Sequence, residues 1–170
     1  MIVRATAKLF SIARIKPVPN NTQLSGPLPG EWYASLLSSG RRGGGVIHFL
    51  HHPSMISILV MGRSLTKALN ALPVRTAALL ARNGFSDLIP SFELFSVPEL
   101  CATNSRSILA NMTQMKLDLE YNLALLEIED LYLRYLIGGK IAKAESENYI
   151  QPVAQLKKLS ARLAQSETCL

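Results

Sequence analysis

Three groups of side chains in this sequence have the types and spacing to do chemistry. The first is the histidine cluster, His48, His51 and His52, which holds every histidine of the chain. On a strand His48 and His52 share one face, because side chains alternate with period two, so two imidazoles are offered to a zinc or nickel ion. A catalytic zinc takes three protein ligands, and no Asp, Glu or Cys stands close enough in sequence to be the third. We therefore read His51 and His52 as turn residues and His48 as a hydrogen-bonded strand residue, and expect neither a metal nor a cofactor.

The second group binds rather than reacts. Arg4, Thr6 and Lys8 alternate along an expected first strand, and Asn104, Ser105 and Arg106 stand at an expected helix start. A helix N-terminus offers unpaired N–H groups and the positive end of a dipole, so a serine and an arginine there suit a phosphate or carboxylate. The third group is aromatic and basic. Trp32 and Tyr33 have faces on which a nucleic-acid base can stack, and Arg41 and Arg42 can reach a phosphate backbone from the glycine-rich run 38–45. That run lacks the G-x-x-x-x-G-K-[ST] spacing of a phosphate-cradling loop. Motifs of nucleophilic catalysis, G-x-S-x-G and H-E-x-x-H among them, do not occur.

The elements that must position these residues centre on 43–62, twenty residues without a formal charge. Residues 46–50 and 55–61 are short apolar runs rich in β-branched side chains, the pattern of buried strands, and 51–54 joins them as a turn containing Pro53. A membrane span is disfavoured because three histidines and a proline fall in its middle. Before this hairpin, 2–8 reads as a strand, with a helical turn at 8–13. Residues 17–30 read as a loop with four prolines, and 31–37 as a strand or a single helical turn. After it, Ser64 caps a helix whose stripe is Leu65, Ala68, Leu69 and Leu72. Pro73 is expected to kink or divide that helix, and Asn83-Gly84 to stop it. Residues 91–95 and 99–103 read as strands. A long helix starts at Asn104 with Ile108, Met112, Met115, Leu119 and Leu123 on one face and reaches about 126, with the acidic cluster Glu127, Glu129 and Asp130 near a break. A last helix starts at Pro152, favoured at the first helical position, with Val153, Leu156, Leu159 and Leu163 as its apolar edge.

At 170 residues the chain fits one domain. Its two cysteines, Cys101 and Cys169, make no disulfide framework, which suits a reducing compartment. The net charge of +6 conceals a split: residues 1–82 hold ten Lys/Arg against Glu31 alone, or +9, and the remainder carries −3. A basic half of this kind fits phosphates, an acidic partner or an anionic surface. The basic, acid-free start resembles a targeting peptide in composition, but its alternation favours structure.

The ordered set MIVRATAKLFSIARIKP, LPGEWYASLL, VIHFLHHPSMISILV and TNSRSILANMTQM resembles a family of uncharacterised bacterial proteins often found in genomes rich in mobile elements. The likeness rests on an R-x-T-x-K-L strand, a W-Y-A-x-L element, a hairpin and an S-R-S-x-L helix start, and covers about residues 1–115. It implies a bacterial, cytoplasmic setting and an α/β fold, and no reaction.

The expected architecture is α+β: a small, mostly antiparallel sheet of four or five strands, covered on one side by the helices at 64–83 and 104–126. One domain spans 1–170, with a core at 1–126 and a helical extension at 127–170. The expected function is a non-enzymatic binding module whose basic N-terminal half contacts nucleic acid or an acidic protein. Two alternatives stand beside it. One is a small nuclease or toxin-like enzyme working at His48, Arg4 and Arg106; the other is a homodimer assembled through Val153, Leu156, Leu159 and Leu163.

Overall fold

The structure, a computed structural model, describes residues 1–19, 30–38, 44–119, 129–130 and 151–167. Strand β1 (Ile2–Ala5) gives way at once to helix α1 (Ala7–Ala13). The expected strand is thus shorter than 2–8, and the reason is local. The N–H groups of Leu9 and Phe10 both donate to the Thr6 carbonyl, at 2.9 and 3.1 Å, and so close a helical turn on the chain itself instead of pairing with a neighbouring strand. Strands β2 (Glu31–Ser38), β3 (Gly45–His52) and β4 (Ser57–Met61) follow. Helix α2 (Leu65–Arg82), a 3-10 helix over Ser86–Phe92, strand β5 (Glu99–Ala102), helix α3 (Arg106–Leu119) and helix α4 (Pro152–Glu167) complete the described elements.

The five strands form one sheet in the order β4-β3-β2-β1-β5. β1 pairs with β2 and with β5 in parallel, and β3 pairs with β2 and β4 antiparallel. The sheet is therefore mixed and not mostly antiparallel. A parallel pair needs a crossover, and here the crossover contains α1, a helix of only seven residues. Beyond β5, Val18 forms a single bridge to Cys101, its N–H donating to the Leu100 carbonyl at 2.8 Å.

The helices divide between the two faces. On one, Val3, Ala5, Trp32, Ala34, Ile47, Phe49 and Ile58 of the sheet pack against Leu9 and Phe10 of α1, Leu72 and Leu79 of α2, Leu88 and Phe92 of the 3-10 helix and Leu156 of α4. On the other, Tyr33, Leu37, Val46, Leu50 and Leu59 meet Ile108, Met112 and Met115 of α3. The expectation that the helices at 64–83 and 104–126 share a side is corrected by this arrangement: periodicity identifies a helix's apolar stripe but not the sheet face that receives it.

Three other expectations change. Pro73 lies inside an unbroken α2; Leu65, Ala68 and Leu72 before it and Thr76, Leu79 and Leu80 after it are all buried, and that burial holds both halves on one face despite the missing N–H. Residues 91–95 are not a strand, because Leu88, Ser91 and Phe92 turn inward from a 3-10 helix. Leu156 of α4 is fully buried in the main core, and Val153, Leu159 and Leu163 pack against that core. The stripe offered above for self-association is thus at least partly engaged within the chain, Leu156 being buried and the other three half-buried. Ser64 caps α2 as expected, its hydroxyl accepting the Lys67 N–H at 3.4 Å.

Candidate functional site

β1, β2, β4 and β5 run in one direction and β3 runs against them. The carboxyl ends of β1, β4 and β5 lead within a few residues into α1, α2 and α3. All three helices therefore begin at the same edge of the sheet. In open α/β sheets this edge, where successive connections leave for opposite faces, is where ligands bind. The change of face occurs between β1, which leads to α1 on one side, and β5, which leads to α3 on the other.

The side chains at this edge are basic. Lys8 is the second residue of α1, Lys67 the third of α2 and Arg106 the first of α3, and no acidic residue lies in the first turn of any of them. Lys8, Arg63, Lys67 and Arg106 are exposed and form no ion pair among the described residues. A first turn ordinarily gains about 0.3–1 kcal/mol from an acidic group facing the positive dipole end. Three cations in that position are a local conflict, one that an anionic ligand relieves. The five strands space this edge over roughly 19 Å at about 4.8 Å per strand.

Beneath the edge, on the α3 face, runs a belt of buried polar groups. Arg4 Nε donates to Glu31 Oε2 and Arg4 Nη2 donates to Glu31 Oε1, a two-pronged ion pair. Arg4 Nη1 also donates to the Ala102 carbonyl at 3.3 Å. The Tyr33 hydroxyl lies 3.1 Å from Glu31 Oε2 and 2.6 Å from the Asn104 side-chain amide. A phenol has one proton, so it donates to Glu31 when the Asn104 amide turns its N–H toward the phenol oxygen. This chain of bonds joins β1 and β2 to Asn104, two residues before α3.

The charges respond accordingly. Hydrogen bonds to the Glu31 carboxylate hold the Arg4 guanidinium above its ordinary value against the effect of burial. Burial pushes the Glu31 carboxyl up, but Arg4 and the Tyr33 hydroxyl outweigh it and leave it below the usual carboxylate range. Burial, then the Glu31 charge, pushes Tyr33 up to about 12. Burial also raises the Cys101 thiol.

His48 lies farther along the same face, 0% exposed, with Nε2 3.1 Å from Ser57 Oγ. That is the spacing of a nucleophile and its base, but both residues are sealed from solvent. Nothing among the described residues orients His48 Nδ1, and burial pulls the imidazole down to about 3. A nuclease using His48 with Arg4 and Arg106 finds no support here: His48 is inaccessible, Arg4 is committed to Glu31, and only Arg106 is exposed. His48 and His52 are four strand residues apart, or about 13 Å, too far to share an ion, and no metal-holding group of three His, Cys, Asp or Glu occurs among the described residues.

The other expected site residues separate into those the edge gathers and those it does not. Asn104, Ser105 and Arg106 precede and open α3 at this edge, Ser105 Oγ accepting the Ile108 N–H at 3.4 Å. Thr6 occupies the cap position of α1 without a side-chain cap bond, and Lys8 is exposed in its first turn. Trp32, 1% exposed, faces His51 and Phe92 in the core, so its ring is not available to a base. Tyr33 is likewise buried. Both sit in a central strand covered on each face, which burial patterns of single residues do not announce. Arg41 and Arg42 lie outside the described residues. Sequence reasoning missed Arg63 and Lys67 as edge residues; the signal was the cap at Ser64, with a lysine three positions on where capping statistics favour Glu.

The sequence matches the family described as Domain of unknown function (DUF6933) over residues 2–153. No curated protein and no solved structure matches it. With nearly the whole chain inside that match, the protein belongs to the DUF6933 family.

Proposed function

We propose that this protein is a non-enzymatic module that binds nucleic acid through the phosphate backbone, at the carboxyl edge of its sheet. The observation that supports this reading is the placement of Lys8, Lys67 and Arg106 in the first turns of three helices that start at one edge, with no acid beside them. Backbone N–H groups, dipole ends and side-chain cations there favour the same ligand charge. Non-sequence-specific contact is the mode that fits, because Trp32 and Tyr33 are buried and no aromatic platform for bases is available from them. A bacterial cytoplasmic setting accords with this role.

The test is a salt titration of binding to labelled duplex DNA and single-stranded RNA by fluorescence anisotropy. Contacts from Arg63, Lys8, Lys67 and Arg106 give a slope of log affinity against log salt of about −3 to −4 on duplex DNA. Lys67→Glu and Arg106→Glu each reduce that slope by about one or more. Binding that ignores salt, or no binding at low salt, overturns the proposal.

A further inference from the structure

The outer side of β4 carries a second arrangement of positive groups, and the chain fills it with its own carboxylate. β4 is an edge strand. The Leu59 N–H donates to Glu129 Oε1 at 2.7 Å, and Arg75 Nη2 donates to the same oxygen at 2.8 Å. Arg82 Nη2 reaches Oε2 at 3.4 Å. The Glu129 side chain is 0% exposed, whereas Arg75 and Arg82 keep 27% and 29% of theirs in solvent. Asp130 accepts from Arg82 Nε and from Asn83 Nδ2, each at 2.9 Å. Glu129 and Asp130 thus neutralise two of the basic residues that make the N-terminal half so positive.

The donors are not all used. Arg75 Nε is buried and has no partner among the described residues. Glu129 meets Arg75 through Nη2 alone and not as a fork, its Oε1 being shared between Leu59 and Arg75 and its Oε2 turned to Arg82. A tetrahedral oxyanion has further oxygens, and can take Nη2 and Nε of Arg75 as a fork while still accepting from Leu59 and Arg82. A phosphate seated here would therefore satisfy a donor that Glu129 leaves unpaired.

We infer that Arg75, Arg82 and the Leu59 N–H form a phosphate socket that Glu129 occupies in cis, and that Glu129 thereby restrains nucleic-acid binding. The restraint rests on the function proposed above; the socket does not. Carboxylate and phosphate compete for the same three donors, so a nucleic acid gains these arginines only by displacing Glu129.

Two variants test this. Glu129→Gln keeps an oxygen for the Leu59 N–H and removes the charge; Glu129→Ala removes both, and if it fails to fold, Glu129→Gln decides. Thermal unfolding is followed against inorganic phosphate, with ionic strength held constant by chloride. The expected result is a saturable rise in Tm for the variants and little or none for the natural chain. An equal response in all three proteins, or none in any, overturns the socket. In the salt titration, Glu129→Gln is expected to bind duplex DNA about tenfold more tightly near 0.1 M salt, with a slope steeper by about one, because Arg75 is released while Arg82 stays paired with Asp130. If the natural chain binds with its expected slope and Glu129→Gln gains neither affinity nor slope, the restraint is overturned while the proposed function stands. If the natural chain binds no nucleic acid, the proposed function and the restraint fail together, and the phosphate arm alone decides the socket.

Discussion

The two faces of the sheet are built from the same strands, one residue out of phase, yet they are held by different physics. The face under α1, α2 and α4 is apolar, from Val3 and Phe49 to Leu72 and Leu156. Its buried imidazole, His51, has Ser54 Oγ at 2.7 Å and packs against Trp32 and Phe92. The face under α3 has a smaller apolar cluster and puts Arg4, Glu31, His48 and Ser57 out of water beside it. Apolar contacts are non-directional and fail by degrees. A buried ion pair fails as a unit, because removing one partner leaves the other charged, desolvated and alone. The α3 face is thus the less forgiving of the two, and it is the face that fixes where α3, with Arg106, begins.

The largest expected effect comes from breaking the pair on one side. Glu31→Ala leaves Arg4 uncompensated, and urea unfolding should show a loss of about 3–5 kcal/mol. Replacing both residues with apolar ones, Arg4→Met with Glu31→Leu, should recover most of that loss. Leu72→Ala on the opposite face should cost about 2–5 kcal/mol with no second-site recovery of this kind. If the double replacement is as damaging as Glu31→Ala, the contrast between the faces is wrong.

Acid compares the two faces through one histidine on each. His48 and His51 are both pulled to about 3 by burial, below the ordinary value near 6.5. A depressed folded-state value means that the unfolded chain takes up the proton first, so stability is full above about pH 6.5 and declines as pH falls toward 3. Each histidine should remove about 1.4 kcal/mol per pH unit across that window, or roughly 2 kcal/mol each at pH 5. Unfolding midpoints measured from pH 7.5 to 4.5 check this, and His48→Gln should flatten the decline by about half. A flat profile would mean that the imidazoles are not buried in neutral form.

The smallest effect sharpens the comparison most. Tyr33→Phe deletes one hydroxyl from the Glu31–Asn104 linkage and leaves the ring in place. It should cost about 1 kcal/mol and raise amide hydrogen exchange at the start of α3 more than in α2. Equal exchange in both helices would show that the hydroxyl does not position α3.

Much of this was legible along the chain, for identifiable reasons. The strands at 46–50 and 55–61 stood out because both their faces are buried, which forces continuous apolar runs. Ser64 and Pro152 marked helix starts because cap and first-turn positions have chemistry of their own. Arg4 and Asn104 stand out in the sequence as polar residues, but the link between them runs through Glu31 and Tyr33, and Glu31 reads along the chain only as the single acid in a basic half. A lone carboxylate among ten cations is a candidate for a buried counterion, and nothing local says which arginine it meets. Whether Trp32 packs in the core or offers its ring to a base is not legible for a related reason: β2 lies mid-sheet, and its neighbours on both sides come from distant parts of the sequence.

By itself, the sequence determined what each segment is: which runs are apolar, where helices start, and that positive charge gathers before residue 83. These are consequences of side-chain period, capping and composition, all of which act within a few residues. Only the tertiary structure decided where those segments stand. The parallel pairing of β1 with β2 and β5 sends three helix starts to one edge and assigns α2 and α3 to opposite faces. It also decided which charges remain available. Arg4 is spent on Glu31, and Arg75 and Arg82 on Glu129, whereas Lys8, Lys67 and Arg106 face water without an acid in their first turns. Ion pairing is a matter of separations of a few ångströms between residues 27 to 54 positions apart, and a sequence carries no record of such distances.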